Sequence, residues 1–183
     1  MKELSLNILD IAENSVSAKA TLVEISVFES IVNNKIIITI KDNGCGMSEE
    51  FLKTVTDPFS TTRKTRKVGM GISLLKFIAE QSNGSFEITS ELGKGTTVTA
   101  IFERNNIDRP PLGDIGQTIS TLASCNLDIC FTYLHKFEGK SFTFSTKEVI
   151  EAIPDVPLNT PEVILWMQEY INEGIENISS RDF

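Results

Sequence analysis

The feature that most restricts this chain is a short apolar run that ends on a carboxylate and two glycines. Lys35-Ile36-Ile37-Ile38-Thr39-Ile40-Lys41 is β-branched almost throughout, which predicts a buried strand. Asp42-Asn43-Gly44-Cys45-Gly46-Met47 follows directly. Its glycines let the backbone turn sharply and let a ligand come close to it. The strand therefore delivers Asp42 to its own end, where a carboxylate can accept a hydrogen bond from an exocyclic amine such as that of adenine. Taken alone, the same hexapeptide is also what an ordinary Asn-Gly turn looks like.

The segment before it predicts a helix over residues 2–18 and a strand over 20–30, with a turn at 32–35. In the helix Leu4, Ile8, Ile11 and Ser15 lie on one side, with Leu9, Ala12 and Val16 next to them, which gives a wide apolar stripe. Asn7, Asp10, Asn14 and Ser17 recur at three- or four-residue steps and so share a second face. Asp10 and Asn14 are one turn apart. An amide oxygen can ligate magnesium, and a carboxylate can take a proton from a hydroxyl or water. A merely solvated face has the same pattern.

Beyond Met47, Ser48 is placed to cap a short helix over 49–55, with Glu49 and Glu50 in its first turn. Residues 57–71 are polar, hydroxyl-rich and basic, with Arg63, Lys64, Arg66 and Lys67 close together. They read as a solvated loop or as a lid over phosphates. Gly69-Met70-Gly71 then opens into a helix over 72–82, whose free N–H groups suit an anion. The Gly-Lys-Ser/Thr ending of a P-loop is missing. Strands are expected at 85–90 and 96–102, joined around Gly93-Lys94-Gly95 as a hairpin.

Asn105 to Pro111 is polar and ends in a double proline, which marks a boundary at 105–112 between residues 1–104 and a smaller α+β region over 113–183. That region predicts a helix at 114–123, strands at 127–135 and 141–145, and a helix at 146–153. A last helix runs to about 178, with Thr160 as its cap and Pro161 at its first position. Its stripe of Val163, Trp166, Met167, Tyr170, Ile171 and Ile175 reads as core or a dimer contact.

Composition excludes several function classes. A net charge of −8 argues against general nucleic-acid binding. No apolar run approaches a membrane span, and the N-terminus lacks a signal-peptide pattern. Cys45, Cys125 and Cys130 are too few and too spread for a disulfide frame or a zinc site, which points to a reducing cytoplasm. The single histidine, His135, lies in a strand-like stretch and reads as structural.

Together the motifs over residues 1 to about 102 resemble the GHKL superfamily of gyrase, heat-shock chaperone, histidine-kinase and MutL-type ATPases. The resemblance implies the Bergerat ATP-binding fold: an α+β, two-layer α/β sandwich, here followed by the small C-terminal α+β region. It implies ATP and Mg2+ as ligands. Asn14 is similar to the asparagine that holds magnesium. Asp42 is similar to the aspartate that reads adenine, with Gly44, Gly46 and Met47 shaping its pocket. Asp57-Pro58-Phe59 resembles the box before the lid. Phe59, Thr61, Thr62, Arg63, Lys64, Gly69, Met70 and Gly71 stand where the family lines the phosphates, and Thr96 where it supports the adenine contact. Asp10 occupies the place of the usual catalytic glutamate but is one methylene shorter. That shortens its reach to an attacking water.

The resemblance leads to two expectations. One is a cytoplasmic Mg-ATP-binding ATPase or protein kinase that acts on a partner in regulation, without a phosphoacceptor histidine domain of its own. The other is an ATP-gated protein-binding module, similar to anti-sigma regulators, with little turnover. Both imply a protein partner or a homodimer, and neither involves a membrane.

Overall fold

The computed structural model describes residues 3–56 and 70–180. Six strands form one mixed sheet in the order β3-β4-β2-β1-β5-β6. In chain order the elements are α1 (Leu4–Ser17), β1 (Leu22–Ser30), β2 (Lys35–Asp42), α2 (Glu49–Val55), α3 (Met70–Gln81), β3 (Ser85–Glu91) and β4 (Gly95–Glu103). After them come α4 (Ile115–Cys125), β5 (Cys130–Phe137), β6 (Lys140–Ser145), α5 (Thr146–Ala152) and α6 (Pro161–Ser179). This is the α+β, two-layer Bergerat-type fold, with 42% helix and 28% strand among the described residues.

The core follows from the period-2 pattern of the strands. Ile36, Ile38 and Ile40 of β2 are buried, and their registered partners Val27 and Ile25 on β1 and Phe102, Ala100 and Val98 on β4 are buried with them. Leu4, Ile8, Ile11 and Ala12 of α1 and Leu75 and Ala79 of α3 close this face. Asp42 lies on the same face, two residues after Ile40, so the end of the core stripe is also the start of the polar pocket.

The sheet crosses the boundary expected at 105–112. β5 pairs in parallel with β1, from Leu22↔Cys130 to Glu29↔Phe137, and β6 returns antiparallel beside it. Pro111 and Leu112 dock on the start of α1, where their carbonyls accept from Leu4 N (2.9 Å) and Ser5 N (2.8 Å). These N–H groups have no intrahelical partner, and Glu3 gives no side-chain cap, so the double-proline segment satisfies them. The β5–β6 turn is a two-residue hairpin with Glu138 and Gly139 both at positive φ (44° and 85°), which matches the strand twist.

Two local expectations change. Thr160 stands at the N-cap of α6, but its side chain makes no capping bond. Met70 and Gly71 lie inside the first turn of α3 rather than before it.

Candidate functional site

Asp42 is the centre of the site. It is 9% exposed, and both of its oxygens are held. Ser15 Oγ donates to Oδ2 at 2.7 Å, and Gly44 N donates to Oδ1 at 2.8 Å. Each carboxylate oxygen keeps a further lone pair for another donor. The β-ladder sets Asp42 opposite Thr96. Thr96 Oγ1 lies 2.8 Å from Ser90 Oγ, and Ser90 Oγ accepts from Met47 N at 2.8 Å. One hydroxyl thus ties the turn after β2 to the β3–β4 hairpin.

The glycines of this turn are set by close approach. A Cβ on Gly44 would lie 2.8 Å from Ala18 Cβ and from Ala18 O. Gly46 has φ +67°, and a Cβ there would lie 2.0 Å from Glu91 O. Cys45 N donates to Ala18 O (2.9 Å) and Gly93 N donates to Cys45 O (2.8 Å). The turn is therefore clamped between the end of α1 and the hairpin. Asn43 faces away from this work: its side chain accepts from Thr21 N and Leu22 N and donates to Thr21 Oγ1.

A cavity of about 280 Å³ at the end of β2 is lined by Asp42, Ser90, Glu91, Lys94, Gly95 and Thr96 together with Lys41, Thr89 and Thr97. These last three alternate with Asp42, Ser90 and Thr96 along their strands and so belong to the opposite face of the sheet. Lys94 at its rim is paired with Glu91 at 2.7 Å. Asp10, Asn14 and Gly71 are not in that wall. They form a second group along α1. Gly71 approaches α1 so closely that a Cβ would lie 3.1 Å from Asp10 Cβ. Asp10 is exposed and Asn14 half-buried. Ser15, which holds Asp42, is five residues after Asp10, about 7.5 Å along the helix axis. The two groups are thus joined by one rigid helix.

The structure brings Asp42, Gly44, Gly46, Met47 and Thr96 together, and sets Asp10 against Gly71. Met70 is 78% exposed. Phe59, Thr61, Thr62, Arg63, Lys64 and Gly69 lie outside the described residues. Sequence reading missed Ser15 and Ser90. Ser15 carries a signal, since it follows Asn14 and falls on the buried stripe; Ser90 carries none, being one polar residue in an alternating strand. Asn7 shares the polar face of α1 but is fully buried, and neither side-chain polar atom has a hydrogen-bond partner among the described residues.

Among the described residues no group of three or more His, Cys, Asp or Glu could cage a metal ion. One asparagine, Asn14 on α1, fits magnesium in a narrower sense. That ion keeps several waters and takes one or two protein ligands beside phosphate oxygens. The three cysteines are free, and no described helix is long and apolar enough to cross a membrane.

His135 is fully buried. Its Nε2 lies 3.0 Å from Glu29 Oε1 and its Nδ1 2.6 Å from Tyr133 Oη. Burial pushes the Glu29 carboxyl up. The His135 hydrogen bond, with the charges of His135, Arg104 and Arg109, outweighs it and holds Glu29 below its ordinary range. Glu29 and Tyr133 engage the two ring nitrogens from opposite sides. The chain's single histidine is thus a joint between β1 and β5.

Residues 1–106 match the family described as histidine kinase-, DNA gyrase B-, and HSP90-like ATPase. A putative sensor protein of Shewanella frigidimarina is 38% identical over 103 residues, 55% of this chain and 16% of its own length. Sensor protein SrrB of Staphylococcus aureus is 42% identical over 66 residues, 33% of this chain and 11% of its own. The chain thus spans only a small part of these relatives. Among solved structures, the ADP complex of the Aquifex aeolicus MutL ATPase domain has a TM-score of 0.51 at 18% identity, over 84% of this chain and 70% of that one. The N-terminal domain of a DNA repair protein has a TM-score of 0.52 at 16% identity, over 77% and 51%. These two likenesses are of fold.

Proposed function

The chain belongs to the histidine kinase-, DNA gyrase B-, and HSP90-like ATPase family, and we propose that it binds Mg-ATP and acts on a partner protein as an ATPase or by phosphoryl transfer. The observation that carries this reading is the Asp42 carboxylate, fixed by Ser15 and Gly44 at the end of β2. Held so, it accepts from the adenine amine. Thr96 and Ser90 supply hydroxyls at the polar edge of the base. The MutL domain of similar fold was solved with ADP, which supports a nucleotide in this fold.

Directly before Ser15 on α1, Asn14 would hold magnesium through its amide oxygen, and the N–H groups of the first turn of α3 would face the phosphates. Bound magnesium supplies charge neutralisation at the phosphate oxygens. Asp10 accepts the proton of the attacking hydroxyl or water. Such catalysis is positioning and electrostatics. His135 is buried with both ring nitrogens engaged and is not the phosphoryl acceptor; in this reading the acceptor is water or a side chain of the partner. The reading places the protein in the cytoplasm, with ATP, ADP and a regulatory partner as its ligands.

A second reading, an ATP-gated binding module with little turnover, is favoured by Asp10. It is exposed and a methylene shorter than the family's usual glutamate. Incubation of purified protein with γ-labelled ATP, alone and with cell extract, separates the two. Released phosphate or labelled partner supports the first; tight magnesium-dependent binding with neither supports the second. Asn14→Ala abolishes magnesium-dependent binding, and Asp10→Asn keeps binding while stopping turnover. Unchanged magnesium-dependent affinity in Asn14→Ala would sink the site assignment.

A further inference from the structure

We propose that the outer face of α6 is a docking surface for a basic, amphipathic helical segment of a partner protein. Val163, Met167 and Ile171 turn inward and are buried. Trp166 and Tyr170, one turn apart, do not follow them: they are 47% and 43% exposed and stack at 5.0 Å with 15° between their planes. Tyr170 also meets Phe142 of β6 at 5.5 Å, which fixes the pair against the sheet edge. Leu165, 55% exposed, widens the patch. Large stacked aromatics held rigid at a surface are what interface anchors are made of.

Charge identifies the occupant. Glu162, Glu169 and Glu173 stand at i−4, i+3 and i+7 from Trp166 and are all exposed. Among the described residues no basic side chain pairs with them. Glu169 and Glu173 are one turn apart and repel each other. α6 has no lysine or arginine at all. More broadly, residues 113–183 hold eleven acidic and four basic side chains, so seven of the eight net negative charges fall there. A second copy set face to face would bring these glutamates against their own kind, and an anionic lipid surface would be repelled. A helix with apolar side chains flanked by Lys or Arg fills the aromatic patch and neutralises its rim.

Trp166 is the only tryptophan of the chain, so its emission reports on this face directly. The probes are a synthetic amphipathic helix with Leu on one face and Lys on the other, and the same peptide with Glu in place of Lys. Without nucleotide, the Lys peptide produces a saturable blue shift that weakens with salt, and the Glu peptide produces none. Glu169→Lys/Glu173→Lys weakens the Lys peptide by about tenfold or more, and Glu148→Lys/Glu151→Lys on α5 leaves it unchanged. Equal response to the two peptides, no response, or equal loss in both double variants overturns the proposal. So does a free protein whose Trp166 is already shielded by self-association in sedimentation. Because nucleotide is absent, none of these results bears on the ATP site.

Discussion

Ser15 Oγ and Asp42 Oδ2 are 2.7 Å apart, and this bond joins the last turns of α1 to the end of β2. It is buried, and its acceptor is a carboxylate. Hydrogen bonds to charged groups contribute about 1.5–3 kcal/mol. Ser15→Ala is therefore expected to lower unfolding free energy by that amount in urea titration, and to weaken ADP binding because the carboxylate loses its fixed orientation. Wild-type stability and affinity in this variant would show that the bond orients nothing.

Gly46 and Gly93 both have positive φ, but only Gly46 is crowded. A Cβ at Gly46 would lie 2.0 Å from Glu91 O, whereas one at Gly93 meets nothing within 4 Å. Gly93→Ala carries the left-handed backbone penalty alone, roughly 1–2 kcal/mol. Gly46→Ala adds a backbone clash and is expected to cost clearly more and to separate the turn from the hairpin. Thermal melts of the two variants compare them directly; equal losses would mean that the close approach at Gly46 relaxes freely.

Asn7 is a fully buried amide without a partner among the described residues. Leaving such a group unpaired costs about 1–3 kcal/mol. Asn7→Leu is expected to raise the stability of the nucleotide-free protein by about 1 kcal/mol in chemical unfolding. A marked loss would mean that the amide is bonded in solution.

The Glu29–His135–Tyr133 joint makes stability depend on pH at both ends. Burial, and then the Glu29 charge, push the Tyr133 phenol well above its usual value. Its contribution is full below about pH 10 and is lost as pH rises further. The Glu29 carboxyl is held low. Its contribution is full above about pH 4.3 and is lost as pH falls through the lowered value. Unfolding measured across pH should show Tyr133→Phe flattening the alkaline limb and Glu29→Gln the acid limb. Tyr133→Phe also leaves His135 Nδ1 unpaired, at a cost of about 1–3 kcal/mol near neutrality.

Much of the first half of the fold was legible because its signals are local. Ile36, Ile38 and Ile40 alternate, Ser48 caps α2 by accepting from Phe51 N at 3.2 Å, and Asn83 at φ 52° ends α3. Pairings between distant segments were not legible. Nothing in residues 130–137 states that they align with β1, since a strand's pattern fixes its faces but not its neighbour. The stripe on α6 illustrates the same limit. Val163 and Trp166 share apolar character, but the helix turns 3.6 residues per circuit, and only one side of the stripe finds the sheet. At the candidate site, the place of Asp42 at the end of β2 was readable from the strand and turn around it, whereas the contacts of Ser15 and Ser90 exist only once separate elements meet.

The central claim is that Asp42 accepts a hydrogen bond from the adenine amine, and base exchange tests it most directly. Inosine diphosphate carries a carbonyl oxygen in place of that amine and a proton on the neighbouring ring nitrogen, so the edge facing Asp42 offers an acceptor where ADP offers a donor. Calorimetric titration is predicted to show ADP binding far more tightly than inosine diphosphate to the wild type, with the preference collapsing in Asp42→Asn, whose amide can also donate. Equal affinities for the two nucleotides in the wild type, or an undiminished preference in Asp42→Asn, would contradict the account.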